Sequence, residues 1–518
     1  HEIITFIATP LLLSLYSQLK SSTISIPDEE YDFIIIGGGS AGCALASRLS
    51  ENSNIKVLLI EAGGDGRTLD ARIPAAVAKL QHSENDWVDY IEPQPGRACT
   101  QTIEGKGFWP RGKCLGGSSV LNYMAYVRGN SEDYESWARL VSDAKWGWKS
   151  VESIYKRMEN CKTLKTINPF LRGMNGPLHI SVKQPINRLA QLFVDACAAC
   201  GYKVGDYNGK NQECASVLQT TTKNGARCSA ADAYIWPIIS ERENLHVLLN
   251  TEVVKIITES IKPDSEGRSI IARGVQVLIK GKYSKIIKAK KEVILSASAV
   301  GSPKLLLLSG IGPKNELEAI NIPCILDLPD VGKNLEDHIL VPILVNWDKG
   351  TSIGTVNKHN AENFPLGLLS LFQWLFTGTG NLASSAYDTC LFFKSGINPS
   401  LPFPDIQLGA LFACLPKEFW INNMRTIPDG IVPEQMYSDN GQGFVFLAIL
   451  LHPYSKGYIT LRSNKYSDKP IIVANYFTDS RDLETLATGV KKSVEIIEKM
   501  GFKNEIVIRD DILSNISR

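Results

Sequence analysis

The chain has 518 residues, of which 44% are hydrophobic and 21% are charged. Both fractions are close to those of globular proteins, so a core of ordinary size can be buried. The formal net charge is only +1, which gives no indication of a nucleic-acid partner or of binding to a charged membrane surface. A chain of this length is expected to form about three domains or one intertwined two-lobed enzyme.

Residues 3–16 are nearly all apolar, and the polar stretch 17–30 follows them. This order is typical of the hydrophobic segment of a secretory signal peptide whose basic start is missing, since the chain opens with His1. We therefore expect residues 1–22 to be a clipped signal peptide and the protein to be secreted. The alternative is an N-terminal element packed on the core. The apolar run is too short for a confident transmembrane span, so no stable membrane anchor is expected.

The sequence contains 11 cysteines, and secretion would permit disulfides among them. An odd count leaves at least one thiol without a partner inside the chain. Cys197 and Cys200 form a single C-x-x-C pair within an apolar helical pattern. Because no second pair and no histidine lie at zinc spacing, we interpret the pair as part of a helix face and predict no metal site.

A strand–helix–strand pattern occupies residues 31–61. Residues 31–36 end in a continuous apolar run that is typical of a buried strand, and residues 56–60 form a second apolar strand. The residues between them have helical periodicity. The apolar face predicted for this helix consists of Ala41, Ala44, Leu45 and Leu49.

The first strand runs directly into Gly37, Gly39 and Gly42, which fit the pattern G-x-G-x-x-G. Gly37 permits a tight turn, Gly39 lets a pyrophosphate approach the backbone, and Gly42 lets the helix pack closely on the sheet. Ser40 and Ala41 begin the helix, where free N–H groups attract phosphate. The glycine pattern alone could arise by chance, but its register with both strands predicts a dinucleotide site.

Glu61 ends the second strand, 19 residues after Gly42. An acid at this distance is expected to bind the ribose hydroxyls, and it disfavours the 2′-phosphate of NADP. On these residues alone, FAD and NAD both remain open.

Residues 109–122 form a second informative block, in which Gly116 and Gly117 precede Ser118, Ser119 and Asn122. Small residues let a backbone pass close to a flat ligand. A helix is expected to begin near Ser118 or Ser119, whose hydroxyls could cap it. The alternative is a tight turn and a helix cap without a ligand.

With this block the sequence resembles the glucose-methanol-choline (GMC) oxidoreductases. Residues 112–135 fit the first family signature and residues 298–312 fit the second. Further matches bring the resemblance to roughly residues 30–480. They lie at residues 206–209, 225–230, 291–297, 334–338, 405–407 and 451–453. Residues 123–133 look most like the insect secreted branch, which includes glucose dehydrogenase-like and salicyl alcohol oxidase-like members.

The resemblance implies an α/β fold with a Rossmann-like FAD-binding domain and a discontinuous, α+β substrate-binding domain. It assigns residues 30–159 and 201–340 to the first domain and residues 160–200 and 341–442 to the second. Residues 443–518 would begin the C-terminal region of the family. The implied activity is oxidation of a small-molecule alcohol to an aldehyde or ketone, with hydride transfer to flavin N5.

The resemblance also implies the cofactor residues. The ADP half of FAD would be held by Gly37, Gly39, Gly42 and Glu61 together with Ser40 and Ala41, and Val253 would meet the adenine. The isoalloxazine would lie against Gly116, Gly117, Ser119 and Asn122. Some family members attach FAD covalently through a histidine where this chain has Asn122, so the attachment is expected to be non-covalent.

The family's catalytic base is a histidine in a C-terminal segment, paired with a second histidine or an asparagine. The last histidine here is His452, and neither it nor His338 lies in that context, so the resemblance leaves the base unassigned. We therefore expect the catalytic C-terminal segment to be absent, either because the chain is a fragment or because it is a non-catalytic FAD-binding paralogue. Residues 365–376 are strongly apolar and are interpreted as a core helix; as a pocket wall they would favour an aromatic or terpenoid alcohol.

Overall fold

A computed structural model of the chain describes residues 30–99, 102–165, 167–262, 269–346, 364–412 and 443–507. The predicted signal peptide, residues 1–22, lies outside the described residues. So do residues 347–363 and 413–442 of the predicted substrate domain and residues 508–518 of the C-terminal region. Within the described part of the chain, no helix combines the length and the apolar character needed to span a membrane.

The helices and strands are as follows. The helices are α1 (Ser40–Leu49), α2 (Leu69–Arg72), α3 (Ser118–Leu121), α4 (Ser131–Val141), α5 (Trp148–Met158), α6 (Arg188–Ala199), α7 (Ala230–Tyr234), α8 (Ser298–Leu308), α9 (Lys314–Ala319), α10 (Phe364–Thr377) and α11 (Ser480–Lys499). The strands are β1 (Tyr31–Ile36), β2 (Val57–Ile60), β3 (Asp89–Tyr90), β4 (Phe108–Trp109), β5 (Glu159–Asn160), β6 (Leu178–His179), β7 (Ala215–Val217), β8 (Thr222–Lys223), β9 (Ala226–Arg227), β10 (Leu245–Leu248), β11 (Thr251–Ser260), β12 (Ile270–Ile279), β13 (Tyr283–Leu295), β14 (Ile311–Gly312), β15 (Leu326–Asp327), β16 (Leu340–Asn346), β17 (Tyr387–Phe393), β18 (Ile406–Leu411), β19 (Gly443–Leu450), β20 (Tyr458–Thr460), β21 (Ile471–Val473) and β22 (Ile506–Val507).

The first of two six-stranded sheets has the order β10-β2-β1-β13-β12-β11. Strands β10, β2, β1 and the end of β13 run parallel, whereas β13, β12 and β11 form an antiparallel meander. The long strand β13 belongs to both parts, because its first half pairs with β12 and its second half with β1. The predicted strands at residues 31–36 and 56–60 are confirmed, the second one residue shorter.

Helix α1 packs on this sheet through a face that only partly coincides with the predicted one. Ala41 is exposed, and Ala44, Leu45 and Leu49 are only partly buried. The fully buried positions are Gly42, Cys43, Ala46 and Ser47. The prediction is confirmed in part, because Ala44, Leu45 and Leu49 pack against the core cluster around Ile35, whereas Ala41 does not. The closest approach to the sheet is made by the smallest residues, as expected for Gly42.

The second sheet is antiparallel and has the order β22-β16-β19-β18-β17-β7. Helices α6 and α11 cover one of its faces and contribute to the largest apolar core. The other face is near the second sequence block, since Tyr123 and Val127 pack in a cluster with Tyr387, Cys390 and Phe392. The α/β fold class is confirmed, with the antiparallel sheet as a separate second layer.

The second sheet is assembled from distant segments. Strand β7, which the predicted boundaries give to the FAD-binding domain, pairs with β17 in this sheet. The C-terminal region supplies β19, β22 and the covering helix α11. Residues beyond 443 therefore complete the core of the second domain.

The C-x-x-C pair lies at the end of helix α6, as its interpretation as part of a helix face predicts. Cys197 is a buried residue of α6, and Cys200 is the residue that ends it. All ten described cysteines are free thiols.

One face of helix α10 is buried, which supports its interpretation as a core helix only in part. Trp374 is buried against Ile73 and Ala383, and its ring N–H donates a hydrogen bond to the carbonyl of Gly225 at 2.8 Å. On the other side of the helix, Phe376 is 67% exposed.

A buried ionic network fixes the segment that follows the second block. Glu159 is fully buried and accepts two hydrogen bonds of 2.7 Å from Arg128 and one of 3.1 Å from Arg172. Burial raises the pKa of Glu159, but the hydrogen bonds and charges of the two arginines outweigh it and hold the pKa at about 2. Tyr126 donates a further bond of 2.6 Å. The carboxylate of Glu159 is thus shared by two desolvated guanidinium groups, and Asp206 is a second carboxylate on Arg172 at 2.9 Å.

We predict that Glu159→Gln lowers the free energy of unfolding by about 3–5 kcal/mol, because it leaves the buried Arg128 without a carboxylate and leaves Arg172 with Asp206 alone. Urea unfolding measures the change. Glu51→Gln is the matched control, since Glu51 pairs with Arg48 on the surface and should contribute less than about 1 kcal/mol. The stabilisation by Glu159 is complete above its ordinary pKa of 4.5 and is lost as the pH falls toward about 2. Equal effects of the two substitutions would contradict the prediction.

Candidate functional site

A cavity of about 680 Å³ opens at the carboxyl ends of β1, β2 and β13. Its wall contains the residues that directly follow these strands, Gly37, Glu61 and Ser296. Carboxyl ends of parallel strands are where open α/β sheets bind their ligands, because loops and helix N-termini converge there.

The cavity brings together seven of the eleven predicted cofactor residues. Those lining it are Gly37, Gly39, Ser40, Ala41, Glu61, Gly117 and Val253. The other four, Gly42, Gly116, Ser119 and Asn122, do not line it. Gly42 lies behind the loop, in the contact between α1 and the strand. Gly116 and Ser119 belong to the turn that supports Gly117, and Asn122 ends α3 on an exposed surface.

Gly39 and Gly42 of the first loop are glycines for different physical reasons. A Cβ atom added to Gly42 would lie 2.0 Å from the carbonyl oxygen of Gly37, so this position is set by internal packing. A Cβ added to Gly39 would meet no atom within 4 Å, although Gly39 lines the cavity. Protein packing therefore leaves open space beside Gly39. A ligand that approaches the backbone, as a pyrophosphate does, fits this space.

The two glycine blocks touch through their backbones. The amide of Gly116 donates a hydrogen bond of 2.7 Å to the carbonyl of Gly38. Gly117 has a φ of +55°, and a Cβ there would lie 2.7 Å from the Cα of Gly39. The second block thus forms one wall of the cavity whose floor is the first loop.

Glu61 is a buried acceptor in the cavity wall. Its two carboxylate oxygens accept hydrogen bonds of 2.9 Å from the amides of Gly38 and Gly63. Burial raises the pKa of Glu61 to about 7, although these hydrogen bonds act against the shift. The carboxylate can accept further hydrogen bonds from ribose hydroxyls, as an acid at the end of the second strand does.

A cationic rim was not predicted from the sequence. Arg111, Lys113, Lys304 and Lys469 line the cavity, whereas Asp89 is a carboxylate in their midst. Arg111 donates a hydrogen bond of 2.7 Å to Asp89, and Lys469 approaches it at 3.1 Å. Glu252 is a second carboxylate of this rim, so four cations face two anions there, and the excess of two positive charges would offset the two negative charges of a pyrophosphate. Arg111 and Lys113 flank Gly112 in the second block. Two basic residues beside a glycine turn are the sequence pattern from which this cationic rim could have been predicted.

The two serines of the second block do not cap α3. The residue before the helix is Gly117, and no side chain caps it. Ser118 instead accepts a hydrogen bond of 3.1 Å from the amide of Gly112. Ser119 donates to the carbonyl of Gly116 at 2.6 Å and accepts from the amide of Ala230 at 2.9 Å. The expected caps are wrong because these hydroxyls bind other backbone groups. Ser118 binds Gly112, and Ser119 binds Gly116 and Ala230.

The described histidines lie away from the cavity lining. His452 is 3.7 Å from a carboxylate oxygen of Asp133 and packs on the ring of Phe403 at 4.3 Å between centroids. Burial lowers the pKa of His452, against the charge of Asp133. His338 is exposed. In the described ranges, no group of three or more His, Cys, Asp or Glu side chains could hold a metal ion.

The parallel strands, the open space beside Gly39, the buried acid and the cationic rim define a dinucleotide-binding protein with a second, antiparallel domain. Comparison with known proteins agrees. Sequence models described as GMC oxidoreductase match the chain twice, an N-terminal model over residues 31–340 and a C-terminal model over residues 453–514. The chain belongs to the GMC oxidoreductase family and is an FAD-dependent oxidoreductase.

Relatives and solved structures extend the likeness over most of the chain. A glucose dehydrogenase (FAD, quinone) of Drosophila melanogaster is 37% identical over 484 residues, which are 92% of this chain and 72% of that protein. An alcohol dehydrogenase (acceptor) of Pseudomonas putida is 34% identical, over 92% of this chain and 80% of its own length. The crystal structure of pyridoxine 4-oxidase from Mesorbium loti has 25% identity and a TM-score of 0.76, covering 94% of this chain and 85% of that one.

The C-terminal match corrects one expectation. The catalytic C-terminal segment was expected to be absent, but residues 453–514 match the C-terminal model of the family. That expectation is unsupported. It relied on the lack of a histidine after His452, and the fold of this region, with β20, β21 and α11, is present without one.

We predict that Gly39→Ala weakens FAD binding by about tenfold to a hundredfold while the protein stays folded, because the added methyl group enters the space beside the cofactor. Fluorescence titration with FAD measures the affinity, and thermal unfolding checks the fold. Gly42→Ala is the matched substitution inside the packed contact, and it should lower the stability of the apoprotein. Normal FAD affinity in Gly39→Ala would show that no cofactor approaches this backbone.

The raised pKa of Glu61 predicts a pH-dependent FAD affinity. Ribose hydroxyls donate to the carboxylate, so the deprotonated form binds, and affinity should fall as the pH drops below about 7. The loss should approach tenfold per pH unit, as for one linked proton. Glu61→Gln should bind more weakly above that pKa and should show a flat profile below it. A wild-type profile equally flat across this range would contradict the assignment.

Proposed function

We propose that this protein oxidises an alcohol to an aldehyde or ketone, with FAD as the hydride acceptor. The observation that carries the proposal is the open flank of Gly39, which faces a cavity between a buried acid and a cationic rim. When bound, FAD supplies the two-electron redox chemistry, taking a hydride from the carbon that bears the hydroxyl group.

The chain's own residues bind and orient the cofactor. Glu61 would accept hydrogen bonds from the ribose, and the first turn of α1 with Arg111 and Lys113 would hold the pyrophosphate. Asn122 would lie at the flavin end. An asparagine at this position has no nucleophilic side chain for a flavin bond, which supports non-covalent attachment.

The substrate would bind between Asn122 and the face of the second sheet that α6 and α11 leave free. Tyr123, Leu411 and Leu447 pack against the same apolar cluster there, and Leu344 and Val445 form the next small cluster on the sheet. These side chains are apolar, so we expect an apolar alcohol to bind better than a sugar. The relatives named above act on glucose or on an alcohol, and both classes belong in a test. Secretion stays a prediction.

The decisive measurement is anaerobic reduction of the flavin. Purified protein loaded with FAD should lose its visible flavin absorbance when a suitable alcohol is added, because oxygen cannot restore the oxidised form. The substrates to compare are glucose, choline, benzylic, terpenoid and aliphatic alcohols. Gly39→Ala at the same protein concentration is the matched control and should bind and bleach little flavin.

Each outcome is informative. Protein that binds FAD but is bleached by none of these alcohols would overturn the proposal and favour a non-catalytic flavoprotein. If glucose bleaches the flavin at lower concentrations than benzylic alcohols do, the expected preference for an apolar alcohol is wrong, but the proposed oxidation stands. Flavin that stays with the protein after denaturation would refute non-covalent attachment.

A further inference from the structure

Arg227 is a buried arginine without a carboxylate partner. It ends β9, is 5% exposed and forms no salt bridge among the described residues, where its Nη2 has no hydrogen-bond partner either. Its Nε donates a hydrogen bond of 2.9 Å to the carbonyl of Ala71. Its Nη1 donates to the carbonyl of Ser119 at 3.0 Å and to the carbonyl of Asn122 at 2.8 Å. The guanidinium therefore binds the carboxyl end of α3.

The same nitrogen also binds the side chain of Asn122. Arg227 Nη1 donates to Asn122 Oδ1 at 2.9 Å, and the amide of Met124 donates to that oxygen at 3.1 Å. A guanidinium and a backbone amide can only donate, so the oxygen of the Asn122 amide must face them. Its Nδ2 must then point away. Nδ2 has no protein partner in the described part of the chain, and Asn122 is exposed.

We propose that Arg227 is a positioning residue, which fixes the Asn122 amide so that Nδ2 is presented as a hydrogen-bond donor to the flavin ring. The inference rests on the proposed function for the identity of the ligand. Arg227 itself does not line the cavity that opens at the carboxyl ends of the parallel strands.

A fixed donor has a chemical consequence that a mobile one lacks. A bound flavin would gain negative charge on its ring when reduced, and an oriented N–H group of Asn122 would stabilise that charge without a reorganisation cost. If Arg227 is replaced, the amide can rotate and the donor is lost for part of the time. A merely structural role, in which Arg227 holds α3 and the loop at Ala71, would not act through the Asn122 side chain.

The test is a double-mutant cycle on the FAD-loaded protein, with the midpoint potential of the bound flavin as the readout. Arg227→Lys keeps the charge but loses the planar fork that binds several oxygens at once. We expect Arg227→Lys and Asn122→Ala each to reduce the equilibrium constant for flavin reduction about tenfold, or about 30 mV for a two-electron couple. In the Asn122→Ala background, Arg227→Lys should cause no further shift.

Arg242→Lys is the matched control. Arg242 binds the carboxyl end of α1 through Ser47 and Ser50, so it resembles Arg227 in binding a helix end, but it does not contact Asn122. Its substitution should leave the flavin potential unchanged. If Arg227→Lys does not fold, as judged by thermal unfolding, Arg227→Gln replaces it in the same cycle.

The outcomes separate this inference from the proposed function. Wild-type protein that binds no FAD refutes the proposed function. Protein that binds FAD, but whose potential shifts equally on Arg227→Lys with and without Asn122, overturns the positioning role alone. The positioning role is also overturned if Arg227→Lys leaves the potential unchanged, or if both Arg227 variants lose the flavin in both backgrounds.

Discussion

The direct contact between two glycine loops is the constraint on which the rest of the site depends. Gly116 binds the carbonyl of Gly38, and Gly117 lies against the Cα of Gly39. Only backbones without side chains can approach so closely, since a Cβ at Gly117 would enter the neighbouring loop. This contact sets the width of the cavity and aligns the segment that follows α3 with the carboxyl ends of the strands.

Buried polar groups fix the segment that follows this contact. Arg227 fastens the end of α3, and the carboxylate of Glu159 fastens the next residues through Arg128. Such desolvated groups contribute little net stability compared with apolar packing, but their directional bonds admit few alternative geometries. The segment that leads from the first domain toward the second is therefore fixed at several points by directional hydrogen bonds.

The second domain depends on residues that are far apart in the chain. Its sheet combines β7 with strands from beyond residue 340, and α11 from the C-terminal region closes its core. Tyr123, which directly follows Asn122, packs into a cluster with that sheet. Packing therefore connects the second sheet with the residue next to Asn122.

The sequence by itself determined the strand–loop–helix–strand unit, the acid at Glu61 and the flavin family. Their signals are local, because a tight turn, a helix start and a buried strand each require particular residues at fixed spacing. Only the tertiary structure decided which face of α1 is buried, what Ser118 and Ser119 bind, and that Arg111 and Lys469 share one rim. It also brought Arg227 within hydrogen-bond distance of Asn122, 105 residues earlier in the chain. These features could not be predicted, because the free energy of each contact depends on which distant groups the fold brings within hydrogen-bond distance.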